Sequence, residues 1–270
     1  MRNVHSILLQ TPFKTGKIGL PRTHNPQLKL ENFQLNDKYS VKIINNSNRN
    51  VVQKFMLDTF YTLAPVPVAL KLYDEGQSEM SDFLKDELSL YCDQGMASGI
   101  FHEDKVIGAG WNLYFDRSKH PGDYIKAETW LNAAASLAHS SPEPAHCWRH
   151  YQFLHLQHYG HHIIKKYDAK FCVHMSLLAI HEDYRGKDNI AKHLIGSLVE
   201  RVLNEGGVVS TVGNFPPFVR FWLKEFSDCA AVEDFVRYEK LTLTINKQKV
   251  FHKLKMLDGI TYMSVYKKLK

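Results

Sequence analysis

An α/β fold is what the order of elements in this chain predicts, and three stretches carry the prediction. The first runs from Cys172 to Leu203. It opens on an apolar run, Val173 to Ile180, long enough for a buried strand, and continues through a polar turn, His181 to Asn189. A helix follows with apolar residues at Ile190, Ala191, Leu194, Ile195, Leu198, Val199, Val202 and Leu203, the stripe of a helix buried on one face. The second is Tyr39 to Ile44, whose alternation marks a strand. The third is a hairpin, Gly99 to Phe101 and Val106 to Leu113, turning at His102 to Lys105. Strand, tight turn, helix is also a chemical signal, because free amides at a helix N-terminus and the positive end of its dipole favour an anion such as a phosphate.

The remaining elements follow in order. Residues 1–38, rich in Asn, Pro, Lys and Thr, read as an extended arm, and 39–270 as one folded domain. Val51, Val52, Phe55, Met56 and Phe60 form a helical stripe. Pro65 and Pro67 end it and force Phe60 to Leu70 into an extended loop. Met80, Phe83, Leu84, Leu88 and Tyr91 share the face of a second amphipathic helix. Residues 116–170 read as a helical insertion, with one helix over Tyr124 to Leu137, breakers at Ser140, Ser141, Pro142 and Pro144, and another over Cys147 to Tyr167. The second carries His150, His155, His158, His161 and His162. With no HExxH and no tight His pair beside a carboxylate, it reads as a His-rich surface helix and not as a metal site. Gly207 to Val212 is the next strand, Asn214 to Phe226 a turn and short helix, and Thr261 to Tyr266 a closing strand.

Composition narrows the function classes. Hydrophobic residues make up 44% and charged residues 23%, the balance of a soluble globular chain. The net charge of +6 suits an anionic ligand, but it is spread along the chain and forms no block, which argues against nucleic acid as partner. No apolar run approaches a membrane span. Cys92, Cys147, Cys172 and Cys229 lie far apart with no CxxC pair, so reduced thiols and a cytoplasmic location are expected. The basic N-terminus is read as a loosely ordered leader and not as a mitochondrial presequence.

With its strand and helix, the turn Arg185-Gly186-Lys187-Asp188-Asn189-Ile190-Ala191 resembles the acyl-CoA-binding motif of the GNAT (GCN5-related) N-acetyltransferase superfamily. The resemblance implies the GNAT acyl-CoA N-acyltransferase fold, a central mixed sheet flanked by helices. It also implies acetyl-CoA as co-substrate. Leu178, Ala179 and Ile180 would meet the pantetheine arm through backbone groups, and Arg185, Gly186, Lys187, Asp188, Asn189, Ile190 and Ala191 would hold the pyrophosphate. Asn214 and Phe221, from the next turn and helix, complete the implied cofactor set. The turn departs from the motif: Asp188-Asn189 stands where the family has one Gly. A carboxylate 4 Å from a phosphate charge is repelled by roughly 4 kcal/mol at an effective dielectric of about 20, so Asp188 must point away or weaken binding. Asp188 or Asn189 can equally serve as an ordinary helix N-cap.

The chain from about Tyr39 onward is similar to the arylalkylamine N-acetyltransferases of invertebrates. Phe235-Val236-Arg237-Tyr238-Glu239-Lys240, then Lys249-Val250-Phe251, then Met263 to Leu269 resemble that branch's C-terminal strands, and Phe60 to Leu70 resembles its substrate loop. The branch implies a small arylalkylamine-like primary amine, attacking the thioester directly in a ternary complex, with residues near Pro65 and Phe218 walling the amine site. Two family groups are missing. The glutamate before the loop proline, read as general base, is Ala64 here. The tyrosine that protonates the leaving thiolate is Phe221, and serines of this branch fall near Gly213 and Pro217. An amine with a pKa of about 10 must lose a proton before it attacks. His174 and His181 match two histidines of the vertebrate serotonin-acetylating branch and are the candidate catalytic residues. Asp58, Asp74 and Glu75 are looser candidates in the substrate loop. Two other readings stay open: a catalytically degenerate GNAT protein that binds acyl-CoA or a partner without turnover, and a GNAT enzyme acting on protein lysines or N-termini.

Overall fold

The protein is described by a computed structural model over residues 28–61, 63–70, 88–117, 124–141, 144–245, 247–257 and 259–267. A short strand, β1 (Phe33–Gln34), pairs antiparallel with β2 (Tyr39–Ile43). Helix α1 (Arg49–Met56) runs into a π-helical turn, Leu57–Tyr61, and a five-residue helix, α2 (Pro65–Ala69), follows. The prolines therefore do not force an extended loop. Pro65 occupies the first helical turn, where a missing N–H costs nothing and a fixed φ helps. Of the helix expected over Met80 to Tyr91, 88–93 is helical and 71–87 lies outside the described residues.

Strands β3 (Ala97–His102) and β4 (Lys105–Asp116) form the expected hairpin. Helices α3 (Ala127–His139) and α4 (Pro144–Lys166) lead to β5 (Phe171–Ile180), and α5 (Ile190–Asn204) to β6 (Val208–Gly213). Helix α6 (Pro216–Glu225), β7 (Ala230–Arg237), a two-residue hairpin pair β8 (Thr244–Ile245) and β9 (Gln248–Lys249), and β10 (Gly259–Val265) complete the chain. The main sheet has the order β1-β2-β3-β4-β5-β6-β10-β7. Among the described residues its one parallel pair is β5 with β6, so the sheet is mixed. Helices α1 to α4 cover one face and α5 and α6 the other, each burying its apolar residues against the strands. No helix among the described residues is long and apolar enough to cross a membrane.

Helix α4 corrects the reading of its histidines. His155, His158 and His161 are buried, not surface residues. Between Pro144 and Ile164 only Arg149 carries a full charge, so the helix is apolar enough to be packed on more than one side. Its histidines serve as aromatic plates: His155 lies 5.6 Å from Trp130 and 5.3 Å from Tyr262, and His162 stacks on Tyr124 at 4.5 Å. Among the described residues no group of three His, Cys, Asp or Glu side chains is placed to hold a metal ion.

Candidate active site

The parallel pair β5 and β6 runs together only briefly, Cys172 to Met175 against Val208 to Thr211. Beyond Met175 the strands separate, while β5 stays bonded to β4 as far as Ile180. A bulge between Trp111 and Asn112 leaves Ser176 as the extra residue on β5; such an insertion bends a strand and increases its twist. A wedge opens along the free edge of β5. The His181 N–H donates to the Ile107 carbonyl on β4 (2.8 Å), so by alternation the backbone groups of Ile180 face the wedge. The wedge belongs to a cavity of about 430 Å³ lined by β5 from His174 to Ile180, by Arg185, by Thr211 to Phe215 and Phe218, by the segment around Ala64, and by Arg149, Gln152 and Leu156 of α4.

His174 sits at the deep end, 1% exposed, with Nδ1 2.9 Å from Ser210 Oγ. Burial first, and the charge of Arg149 second, push its pKa down to about 3, so the imidazole is neutral. Ile180 and Arg185 mark the other end, where Arg185 Nε donates to the Ile180 carbonyl at 2.9 Å. Six residues of strand separate the ends, roughly 20 Å at about 3.3 Å per residue. Leu178, Ala179, Ile180, Arg185 and Asn214 of the expected cofactor set line the cavity. Gly186, Lys187, Asp188, Asn189, Ile190 and Ala191 form the turn and helix entry beside Arg185. That turn holds three left-handed residues, Gly186, Asp188 and Asn189, with φ of 72°, 48° and 51°. Neither reading of a side-chain cap holds. Asn189 occupies the N-cap position without a capping bond, and Asp188 is turned to β2, where its Oδ2 accepts from the Tyr39 hydroxyl at 2.6 Å and lies 3.8 Å from Lys38 Nζ. That hydrogen bond pushes the tyrosine up to about 12 and lowers the carboxyl.

Three expected site residues stand elsewhere. His181 is not part of the cavity wall: its Nδ1 accepts from the Asp183 amide at 3.3 Å and closes the 3₁₀ turn Glu182–Tyr184. Phe221 packs on the core beneath α6, one turn past Phe218, which takes the cavity wall instead. Asp58, in the π-helical turn, pairs with Lys54 of α1 at 2.7 Å; Asp74 and Glu75 lie outside the described residues. Ala64 does line the cavity, so the position of the missing glutamate faces the wedge. Arg149 and Gln152, joined at 2.8 Å, were not expected there. The sequence signal was Arg149 itself, the lone full charge of α4 before its closing Lys165 and Lys166.

No family model matches the chain, and no curated protein matches it. Solved structures do. Arylalkylamine N-acetyltransferase 2 from Aedes aegypti superposes with a TM-score of 0.63 at 16% identity, covering 86% of this chain and 99% of that one. A mutant agmatine N-acetyltransferase in its apo form gives 0.61 at 13% identity over 86% and 100%. The Drosophila melanogaster polyamine N-acetyltransferase gives 0.59 at 14% over 85% and 100%. At such identities the likeness shows the fold: the chain has the GNAT acyltransferase architecture.

Proposed function

We propose that this protein is an acetyl-CoA-dependent N-acetyltransferase acting on a small primary amine. The observation that carries the reading is the wedge between β5 and β6. It exposes one backbone edge of β5 and leads to a helix entry with no side-chain cap. An uncapped helix N-terminus suits a pyrophosphate and a free strand edge suits an amide-bearing arm. Acetyl-CoA would enter as co-substrate, with Leu178, Ala179 and Ile180 meeting the pantetheine and Arg185 to Ala191 the phosphates. The lengthened turn is compatible with this because Asp188 is held on Tyr39.

The amine nitrogen would attack the thioester carbonyl; the N–C bond forms, the C–S bond breaks, and the thiolate leaves with a proton. Ala64 supplies no base. His174 at the deep end is neutral and would accept a hydrogen bond from the amine, but a pKa of about 3 leaves it too weak a base to keep the proton, which would pass to water; the guanidinium of Arg149 beside it favours an uncharged amine. Lowering the amine's pKa in this way supplies part of what a glutamate would otherwise do. Phe60, Tyr61, Phe215 and Phe218 give the cavity aromatic walls. Among the described residues its charged lining is Arg149 and Arg185 only, which favours a monoamine with an apolar body over a polyamine. A second ammonium about 6 Å from a guanidinium is repelled by about 3 kcal/mol at an effective dielectric of about 20.

Calorimetry with acetyl-CoA, and with dephospho- and desulfo-CoA as controls, tests the cofactor. CoA-thiol release with arylalkylamines, polyamines and amino acids tests turnover. Tight binding with acetylation of a monoamine is expected. Binding without turnover of any amine would favour the degenerate reading, to which Ala64 points, and absence of binding would remove the acyl-CoA reading itself.

A further inference from the structure

Cys172, His174 and Ser210 meet at the deep end of the wedge, where β5 and β6 still run as a parallel pair. His174 stands opposite Ser210 in the register. Its Nδ1 lies 2.9 Å from Ser210 Oγ, and Cys172 Sγ lies 3.3 Å from the same oxygen. All three side chains are buried, and the ring of Tyr159 meets that of His174 edge-on with centroids 6.3 Å apart. The imidazole is therefore fixed with Nδ1 on Ser210, and Nε2 is the nitrogen left for the cavity that His174 lines. Unlike both nitrogens of His155, Nε2 is not sealed within the core.

The serine hydroxyl has one proton to share between the ring and the thiol. If it gives that proton to Nδ1, the thiol must donate to Oγ, and Nε2 carries an N–H. If it accepts from Nδ1–H, its own proton goes to the sulfur, and Nε2 carries a lone pair. Arg149 decides between the two. Its guanidinium shares the cavity wall with His174, and after burial its charge is the second cause of the lowered basicity of the ring. A cation on the cavity side attracts a lone pair at Nε2 and repels an N–H pointed at it. We propose that Ser210, backed by Cys172, is a positioning residue that holds His174 in the Nδ1–H tautomer, so that Nε2 presents a lone pair to an N–H of the substrate amine. The ring neither takes nor gives a proton; it orients the amine, whose own lone pair is then free to face the thioester. The catalytic half of this assignment rests on the acyl-transfer reading, and the tautomer does not.

The test is nitrogen-15 NMR of the full chain labelled at histidine, with His174→Gln to assign the signal. At neutral pH the wild-type ring is expected to be neutral with its proton on Nδ1. Cys172→Ala takes away the sulfur that receives the serine proton and should move the ring towards the Nε2–H tautomer. Cys172→Ser supplies another acceptor and should restore Nδ1–H. Ser210→Ala removes the lock itself. It should leave a mixture of tautomers and lower kcat for a monoamine by about five- to tenfold, the worth of one net hydrogen bond, with KM for acetyl-CoA unchanged. Circular dichroism of each variant checks that it folds. A proton on Nε2 in the wild type, a tautomer unmoved in both Cys172→Ala and Ser210→Ala, or an unchanged kcat in Ser210→Ala would each overturn the assignment. If no amine is turned over, the acyl-transfer reading fails by itself, and the NMR signals still decide whether Ser210 holds the ring.

Discussion

Acidification from pH 7.5 to 5.0 is expected to destabilise this protein by about 4 kcal/mol through two histidines alone. His155 and His174 are each about 1% exposed, and burial pushes both down to about 3. Neither nitrogen of His155 has a hydrogen-bond partner among the described residues. In the unfolded chain both imidazoles titrate near the ordinary value of about 6.5, so below that pH the unfolded state binds protons the folded state refuses. A depressed folded pKa gives stability that is complete above the unfolded value and is lost as pH falls towards the folded one. Each group loses about 2 kcal/mol at pH 5, and a folded pKa one unit higher barely alters that figure. His150 and His162, also lowered by burial, act in the same direction.

Against a typical total of about 5–15 kcal/mol this is a large share. Urea unfolding at both pH values measures it, with a common m-value as the check on two-state behaviour. His155→Phe preserves an aromatic plate against Trp130 and Tyr262 and should remove about half of the pH dependence while leaving stability at pH 7.5 equal or higher. An undiminished pH dependence in His155→Phe would refute the placement of a neutral imidazole in that aromatic layer.

Other expectations bear on the wedge and its supports. Arg185→Gln should weaken acetyl-CoA binding about tenfold, the loss of one charge-assisted contact, read by calorimetry; an unchanged affinity would remove Arg185 from the cofactor site. Ala64→Glu restores a carboxylate to the cavity wall and should raise turnover of a monoamine at least about tenfold, within the range of general-base effects; a fall in kcat with unchanged cofactor affinity would show that Ala64 faces away from the reacting nitrogen. Glu233 accepts from Lys166 at 2.6 Å, from Tyr167 at 2.5 Å and from Ser264. Burial alone would raise its carboxyl, but those bonds bring it below the usual range. Glu233→Gln should cost about 1–2 kcal/mol at pH 7 by thermal or urea unfolding, discounted because Lys166 remains partly solvated. The difference should close as pH falls through the lowered carboxyl pKa.

The strand, turn and helix from Cys172 to Leu203 were legible because burial imposes a period on them: a continuous apolar run for a strand covered on both faces, and a 3.6-residue stripe for α5. The hairpin and the first strand were legible for the same reason. The histidine helix was legible as a helix but its burial was not, because a neutral imidazole packs as an aromatic ring while sequence patterns count it as polar. Helix α2 was missed because proline's two effects oppose each other: it breaks a helix interior and favours its first turn. Arg149 could not be placed by local pattern, since its position depends on how α4 crosses the sheet. The same holds for Asp188, whose partner Tyr39 is 149 residues distant.

That distant bond decides how the motif turn is to be understood. An inserted acidic residue in an anion-binding turn is self-defeating if its charge faces the ligand. Here both Asp188 and Asn189 take left-handed φ, so the extra residue is absorbed by the backbone, and the carboxylate leaves the ligand side for the hydroxyl of Tyr39. Tyr39 itself is fixed by ring contacts with His102 and Tyr184, at 5.3 and 6.2 Å. The turn is therefore held in shape from β2, β3 and the 3₁₀ segment together. Removing the hydroxyl, as in Tyr39→Phe, frees the carboxylate to turn towards an incoming pyrophosphate. Weaker acetyl-CoA binding at low salt, relieved as salt screens the repulsion, would follow from that displaced charge. Removal of Asp188 as well, in Tyr39→Phe/Asp188→Asn, should restore the affinity. If the double variant bound no better than Tyr39→Phe alone, the tether would be a feature of folding and not of ligand recognition.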